Sequence, residues 1–201
     1  MKQLIVVLLL GLSTITNAQT ATITPGTKAP EFELKNVDGK TVSFKKFGNV
    51  KGYIVVFTCN TCPYAKAYEQ RIIELNTKYT PLGFPVIAIN PNDPEVSPGD
   101  SYEKMAERAK SNKYEFPYLF DEGQKITAAY GAKNTPHIFL VKHTKDGNII
   151  SYTGSIDNDP ENNKADKTNY LEHAIAAVTS GKDPELAITK AIGCTVRRKK
   201  Q

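Results

Sequence analysis

The sequence predicts an α/β fold: a mixed central β-sheet flanked by helices on both faces, with an N-terminal extension. Three observations carry that prediction. Apolar β-prone runs alternate with amphipathic stripes, a tight-turn dipeptide (Asp146-Gly147) comes late, and 201 residues suffice for one domain with a sizeable core. Right-handed crossovers would make the early strands parallel, and the late hairpin would add an antiparallel edge.

The chain opens on Met1-Lys2-Gln3, then the apolar run Leu4–Leu12, interrupted only by Gly11. Polar Ser13–Asn17 lead to the small residue Ala18, with Thr16 two positions before it. A positive start, a short apolar core and a small-residue exit match a secretory leader over 1–18. The apolar run is about half the ~20 residues a membrane span requires, and no Cys follows it to accept a lipid. The mature chain is expected to start near Gln19 and to be periplasmic or otherwise exported. Its main domain would cover 19–195, with a basic tail over 196–201.

Tyr53–Phe57 is a continuous apolar run, as a strand covered on both faces should be. Pro63 then suits a first helical position, and Tyr64, Tyr68, Ile72, Leu75 and Tyr79 form one stripe of a helix ending near Pro81 and Gly83. Phe84–Ile89 reads as a second buried strand. Asn90–Gly99, with three prolines, is loop, and Asp100 with Glu103 reads as a capping-box variant opening a helix that carries Tyr102, Met105, Ala106 and Ala109. Phe116–Phe120 is a short strand, Gln124–Tyr130 a short helix stopped by Gly131, and Ile138–Val141 a further strand. Asp146-Gly147 turns the chain into Ile149–Tyr152. Gly154–Lys167 is polar loop, and Asn169–Thr179 is a last helix with Leu171, Ala174, Ile175 and Val178 facing inward.

With 40% hydrophobic and 23% charged residues the chain is an ordinary globular protein. Lys2 and the run Arg197–Lys200 account for all of the formal +5, leaving the remainder neutral. No basic stripe interleaved with aromatics marks a nucleic-acid surface, so no such partner is expected, and the basic tail reads as solvated and frayed. The acids of Asp157–Glu161 and the pair Glu31/Glu33 likewise read as solvated.

Three cysteines, Cys59, Cys62 and Cys194, sit in a chain too large to need a disulfide scaffold. Cys59-Asn60-Thr61-Cys62-Pro63 lies where a buried strand exits and a helix begins. A helix N-terminus offers unpaired N–H groups and the positive end of the macrodipole, both of which favour a thiolate. On this reading Cys59, at the mouth, attacks, and Cys62, about one turn into the helix, resolves. Cys194 is left over: a distal resolving thiol, a structural half-cystine, or a buried inert thiol.

A family likeness enters at Thr135-Pro136. With Gly26–Leu34, Phe57–Tyr68, Ala88–Pro94, Phe116–Asp121, Tyr130–Leu140 and Gly193-Cys194, the chain resembles the thioredoxin-fold redoxins, in the branch of alkyl hydroperoxide reductase and thiol-specific antioxidant proteins. The likeness covers roughly Thr24 to Cys194 and implies a thioredoxin-like fold. It also implies that Pro136 is a cis-proline facing the dithiol, with the Thr135 backbone placed to pair with a substrate chain. Asn60, Thr61 and Pro63 would complete the surface that chain meets. Two departures matter. The buried acid that many thioredoxins carry six residues before the first Cys is here Tyr53, so Glu31 or a water would have to relay protons. Aligning Cys62-Pro63 with the peroxidatic Cys-Pro puts Cys59 where peroxiredoxins carry a peroxide-orienting Thr, the pattern of a peroxiredoxin-like subgroup with a CxxC.

Three functions are therefore weighed. The first is an exported thiol–disulfide oxidoreductase acting on thiol- or disulfide-bearing proteins, recharged by an upstream redox partner and needing no cofactor. The second is a thiol peroxidase using Cys62, against which the exchange of the peroxide-orienting hydroxyl for the Cys59 thiol counts. The third is a copper or zinc module using Cys59, Cys62 and His137; strand alternation and the two-residue cysteine spacing count against it. His143 and His173 read as surface residues.

Overall fold

The computed structural model describes residues 21–199. The leader expected over 1–18 lies outside the described residues. Thirteen regular elements follow in order: β1 Leu34–Asn36, β2 Thr41–Val42, β3 Gly52–Phe57, α1 Pro63–Tyr79, β4 Val86–Asn90, α2 Tyr102–Ser111, β5 Tyr118–Phe120, α3 Lys125–Tyr130, β6 Asn134–Thr135, β7 His137–Thr144, β8 Gly147–Gly154, α4 Tyr170–Thr179 and β9 Cys194–Thr195. Among the described residues no helix is long and apolar enough to cross a membrane.

Seven strands form one sheet in the order β2-β1-β5-β4-β3-β7-β8. β3, β4 and β5 are parallel, joined by crossovers through α1 and α2. β7 runs antiparallel to β3, and the Asp146-Gly147 hairpin adds β8 as the antiparallel edge. The short β1–β2 pair, which shows no periodicity in the sequence, extends the other side of the sheet.

Alternation along β3 divides the core. Tyr53, Val55 and Phe57 point to one face, where Ile87, Leu119, Phe139 and Tyr130 of α3 join them. Ile54 and Val56 point to the other, against Tyr68 and Ile72 of α1, Met105 of α2 and Leu171 of α4. Helices thus cover both faces, three on one and one on the other. Burying each large apolar side chain contributes about 1.5–3 kcal/mol, which explains why the central strands are continuous apolar runs.

Several expectations need correction. Tyr64 leaves the α1 stripe and is 43% exposed, because the first turn overhangs a groove rather than the sheet. The side chain of Ser101, not Asp100, caps α2 by accepting from the Lys104 N–H at 3.3 Å; Asp100 is turned inward instead. Residues 155–167 are loop, but the first of them are buried, so Asp157 is not a solvated acid: it meets Arg71 at 2.7 Å and Tyr68 Oη at 2.9 Å. Nor is the tail frayed over 196–199. Val196 is buried, Arg197 N–H donates to Asn92 Oδ1 (2.9 Å), and Arg198 donates to the Ala132 carbonyl (3.0 Å).

Candidate active site

β3 ends at Phe57, and the next five residues lead to α1, whose N-cap is Cys62. The helix begins no earlier because Pro63 suits the first helical position and keeps the residue before it extended; Cys62 has φ −72° and ψ 126°. This reverses the expected placement. Cys62 stands at the helical entrance, while Cys59 lies back toward the strand exit. Both are 4% exposed, and with Ala65 and the half-buried Cys194 they form one apolar cluster.

The contacts separate the two sulfurs. Cys59 Sγ lies 3.2 Å from Thr135 Oγ1. Cys62 Sγ accepts from the Cys194 N–H at 3.4 Å and lies 3.0 Å from the Thr135 carbonyl oxygen. The Cys59 thiol, donating to Cys62, holds the Cys62 thiol below its ordinary range against the opposing effect of burial; Cys194 and the Ala65 N–H add to the lowering. The same donation, burial and the negative charge of Asp100 push Cys59 well up. The Thr135 carbonyl is an acceptor and favours a Cys62 thiol, but the donors around that sulfur outnumber it. Of the two sulfurs, Cys62 is thus the one whose thiolate its surroundings favour and Cys59 the one whose thiol they favour.

Asp100 is the functional residue that sequence reasoning missed. Fully buried, its carboxylate accepts from the Asn60 N–H (2.6 Å), Thr61 Oγ1 (2.7 Å), Ser97 Oγ (2.6 Å) and Asn92 Nδ2 (2.8 Å). These neutral donors fix the two residues between the cysteines. A polar Asn90-Pro-Asn92 segment leaving a buried strand was the available signal for such a nest. Asn60 is accordingly not on the surface a partner would meet: its amide donates to the Gly99 carbonyl (2.9 Å) and accepts from Tyr118 Oη (3.0 Å). Thr61 and Pro63 are exposed.

The Thr135–Pro136 bond is cis, as the family likeness implied. The Thr135 backbone edge, expected to receive a substrate chain, is occupied by the protein's own β9, with Thr135 opposite Cys194 and Asn134 opposite Thr195. Beside it an open groove of about 640 Å³ runs between Tyr64, Asn134, His137, Ile188 and Gly193.

The sulfurs and His137 do not form a metal set. His137 is buried; its Nδ1 accepts from the Lys133 N–H (3.4 Å) and its Nε2 bonds Thr153 Oγ1 (3.0 Å). Burial, aided by the charge of Lys133, pushes its pKa down to about 4. Among the described residues no three His, Cys, Asp or Glu side chains come together as a metal site. Nor does the relay candidate Glu31 join the cluster, since it accepts from Asn148 (3.4 Å); Tyr53, at the place of the missing acid, donates to the Phe44 carbonyl (3.2 Å). His143 and His173 are exposed, as expected.

The sequence profile of the AhpC/TSA family matches residues 25–156, a span that holds both Cys59 and Cys62. The chain belongs to the AhpC/TSA family. This AhpC/TSA protein has the thioredoxin-like fold, seen in its parallel β3–β4–β5 core, the antiparallel β7–β8 edge and the cis-proline beside the α1 entrance. An uncharacterized conserved protein from Geobacillus kaustophilus superposes with a TM-score of 0.80 at 32% identity, over 88% of this chain and 93% of its own. The thiol-disulfide oxidoreductase ResA of Bacillus thuringiensis subsp. konkukian is 27% identical over 125 residues, 62% of this chain and 66% of the relative. The chloroplastic peroxiredoxin Q of Populus jackii is 30% identical over 130 residues, 59% of this chain and 52% of the relative. The AhpC/TSA chain thus matches only about half to two thirds of the length of these two relatives.

Proposed function

We propose that the protein is an exported thiol–disulfide oxidoreductase that exchanges disulfides with partner proteins through Cys59 and Cys62. One observation carries the reading: Cys62 stands at the N-cap of α1 in one buried cluster with Cys59, its Sγ accepting from the Cys194 N–H at 3.4 Å. Roles follow from that geometry and reverse those expected from spacing alone. The Cys62 thiolate attacks one sulfur of a partner disulfide; a Cys62–partner bond forms, the partner S–S bond breaks, and the electron pair leaves on the second partner sulfur. Cys59, losing its proton to a leaving thiolate, then bonds Cys62 and expels the first partner sulfur. Two electrons have passed to the partner. The reverse sequence oxidises partner thiols with the same atoms, and an upstream redox partner resets the dithiol. The secretory pattern at 1–18 supports export, and the ResA likeness supports the chemistry.

Cys62→Ser is expected to abolish reduction of insulin disulfides; full activity in that variant overturns the reading. Iodoacetamide should label Cys62 at a rate that persists below pH 7, where an ordinary thiol with a pKa near 8.5 loses about tenfold per pH unit. A second reading, a thiol peroxidase, is supported by the peroxiredoxin Q likeness and by the helix-capping position of Cys62. Stopped-flow oxidation of reduced protein by hydrogen peroxide decides it: a rate near that of a free thiol rules it out.

A further inference from the structure

Cys194 lies far from the dithiol in sequence and beyond the family match, yet the fold delivers it to the reacting sulfur. Its N–H donates to Cys62 Sγ at 3.4 Å, and its side chain packs into the Cys59–Cys62–Ala65 cluster. Three independent features hold it there. β9 pairs antiparallel with β6, Thr135 opposite Cys194. Asn134 Nδ2 donates to the Gly193 carbonyl at 3.0 Å. Gly193 itself lies so close to Thr135 that an added Cβ would collide with its carbonyl, so only glycine permits the approach. An extended segment carrying a thiol thus lies on the backbone edge beside Cys62.

We propose that β9 is a tethered thiol substrate and that Cys194 is a second resolving thiol, forming a Cys62–Cys194 disulfide within the chain. The proposal rests on the exchange reading above. Once Cys62 carries a partner sulfur as a mixed disulfide, Cys194 loses its proton and attacks Cys62 Sγ. The Cys62–Cys194 bond forms, the Cys62–partner bond breaks, and the partner sulfur leaves with the electron pair and takes up the proton. Cys59 then attacks Cys62, expels Cys194 as a thiolate and gives it its own proton. Electrons balance at each step: the partner disulfide gains two, and the protein ends with one disulfide and one thiol. Burial and the negative charge of Cys62 push the Cys194 thiol up, so it rests protonated as a donor to that sulfur.

The test uses reduced full-length protein and glutathione disulfide, with acid quenching, alkylation and peptide mass spectrometry. Cys59→Ser removes the competing thiol; it should release two glutathione molecules and yield a Cys62–Cys194 cross-linked peptide. Cys59→Ser/Cys194→Ser should instead retain one glutathione on Cys62, with an adduct lifetime at least about tenfold longer, since no neighbouring thiol remains at high effective concentration. Gly193→Ala in the Cys59→Ser background, checked for folding by circular dichroism, should lower the cross-link yield. If Cys59→Ser holds its glutathione as long as the double variant does, with Cys194 alkylated, Cys194 is not a resolving thiol while the exchange function stands. If Cys62 takes no glutathione in the double variant and the wild type forms no disulfide from glutathione disulfide, the exchange function falls and this inference with it.

Discussion

Asp100 and Asp157 are both fully buried carboxylates, yet the molecule compensates them in opposite ways. Asp100 is ringed by neutral amide and hydroxyl donors. Asp157 meets the Arg71 guanidinium at 2.7 Å and the Lys167 ammonium at 3.5 Å, with Arg71 also lying over the Tyr68 ring. Dipoles hold a charge in place without cancelling it, so its field still reaches nearby titrating groups, and beside Asp100 that group is Cys59. A guanidinium cancels the charge locally, and what remains is a fastening between α1 and the loop after β8. One acid tunes the site; the other ties the fold.

The largest expected effect tests that contrast directly. Arg71→Leu leaves Asp157 buried against a weaker compensating charge and should cost about 3–5 kcal/mol in urea unfolding, while any folded fraction keeps normal exchange activity. A loss under about 1 kcal/mol would mean that Asp157 does not depend on the guanidinium.

His137 supplies a third style of burial, a group kept neutral rather than compensated. Its pKa is lowered to about 4 from the ordinary 6.5, so the folded state resists a proton that the unfolded chain accepts. Stability is fully present above pH 6.5 and is lost as pH falls through that value toward 4, by about 3 kcal/mol in all. Unfolding free energies of His137→Gln across pH 7 to 4 should lack that part of the acid loss.

A smaller effect is expected at Asp100. Asp100→Asn keeps the shape but loses charge-assisted hydrogen bonds, at about 1.5–3 kcal/mol. Its sharper signature is chemical: without the negative charge, alkylation of Cys59 should begin at lower pH. Asp157→Asn should leave the Cys59 profile where it is. Equal shifts in the two variants would erase the distinction between the two acids.

Much of the fold was legible because its central elements are long enough to carry a period. The continuous run of β3, the stripe on α1 from Tyr68 to Tyr79, and the Asp146-Gly147 turn each state their structure locally. β1, β2, β6 and β9 span two or three residues each, too few for any alternation to register. The site divides the same way. The cysteine pair and Pro136 announce themselves, but which sulfur stands at the helix entrance depended on Pro63 setting the first turn. Asp100 resembled a helix cap because its partners, Asn60 and Thr61, are about forty residues away in sequence. Asp157 resembled a solvated acid because Arg71 comes from a helix on the far side of two crossovers. Long-range pairing of polar groups leaves no periodic trace.

The docked C-terminal segment has a practical consequence. Arg197 donates its N–H to Asn92 Oδ1 at 2.9 Å, Asn92 donates to Asp100 at 2.8 Å, and Asp100 grips the residues between the cysteines. Cargo fused beyond Lys199, whether an affinity tag or a fluorescent protein, would pull on the end of that hydrogen-bonded line. A reporter placed there would alter the thiols it was meant to observe.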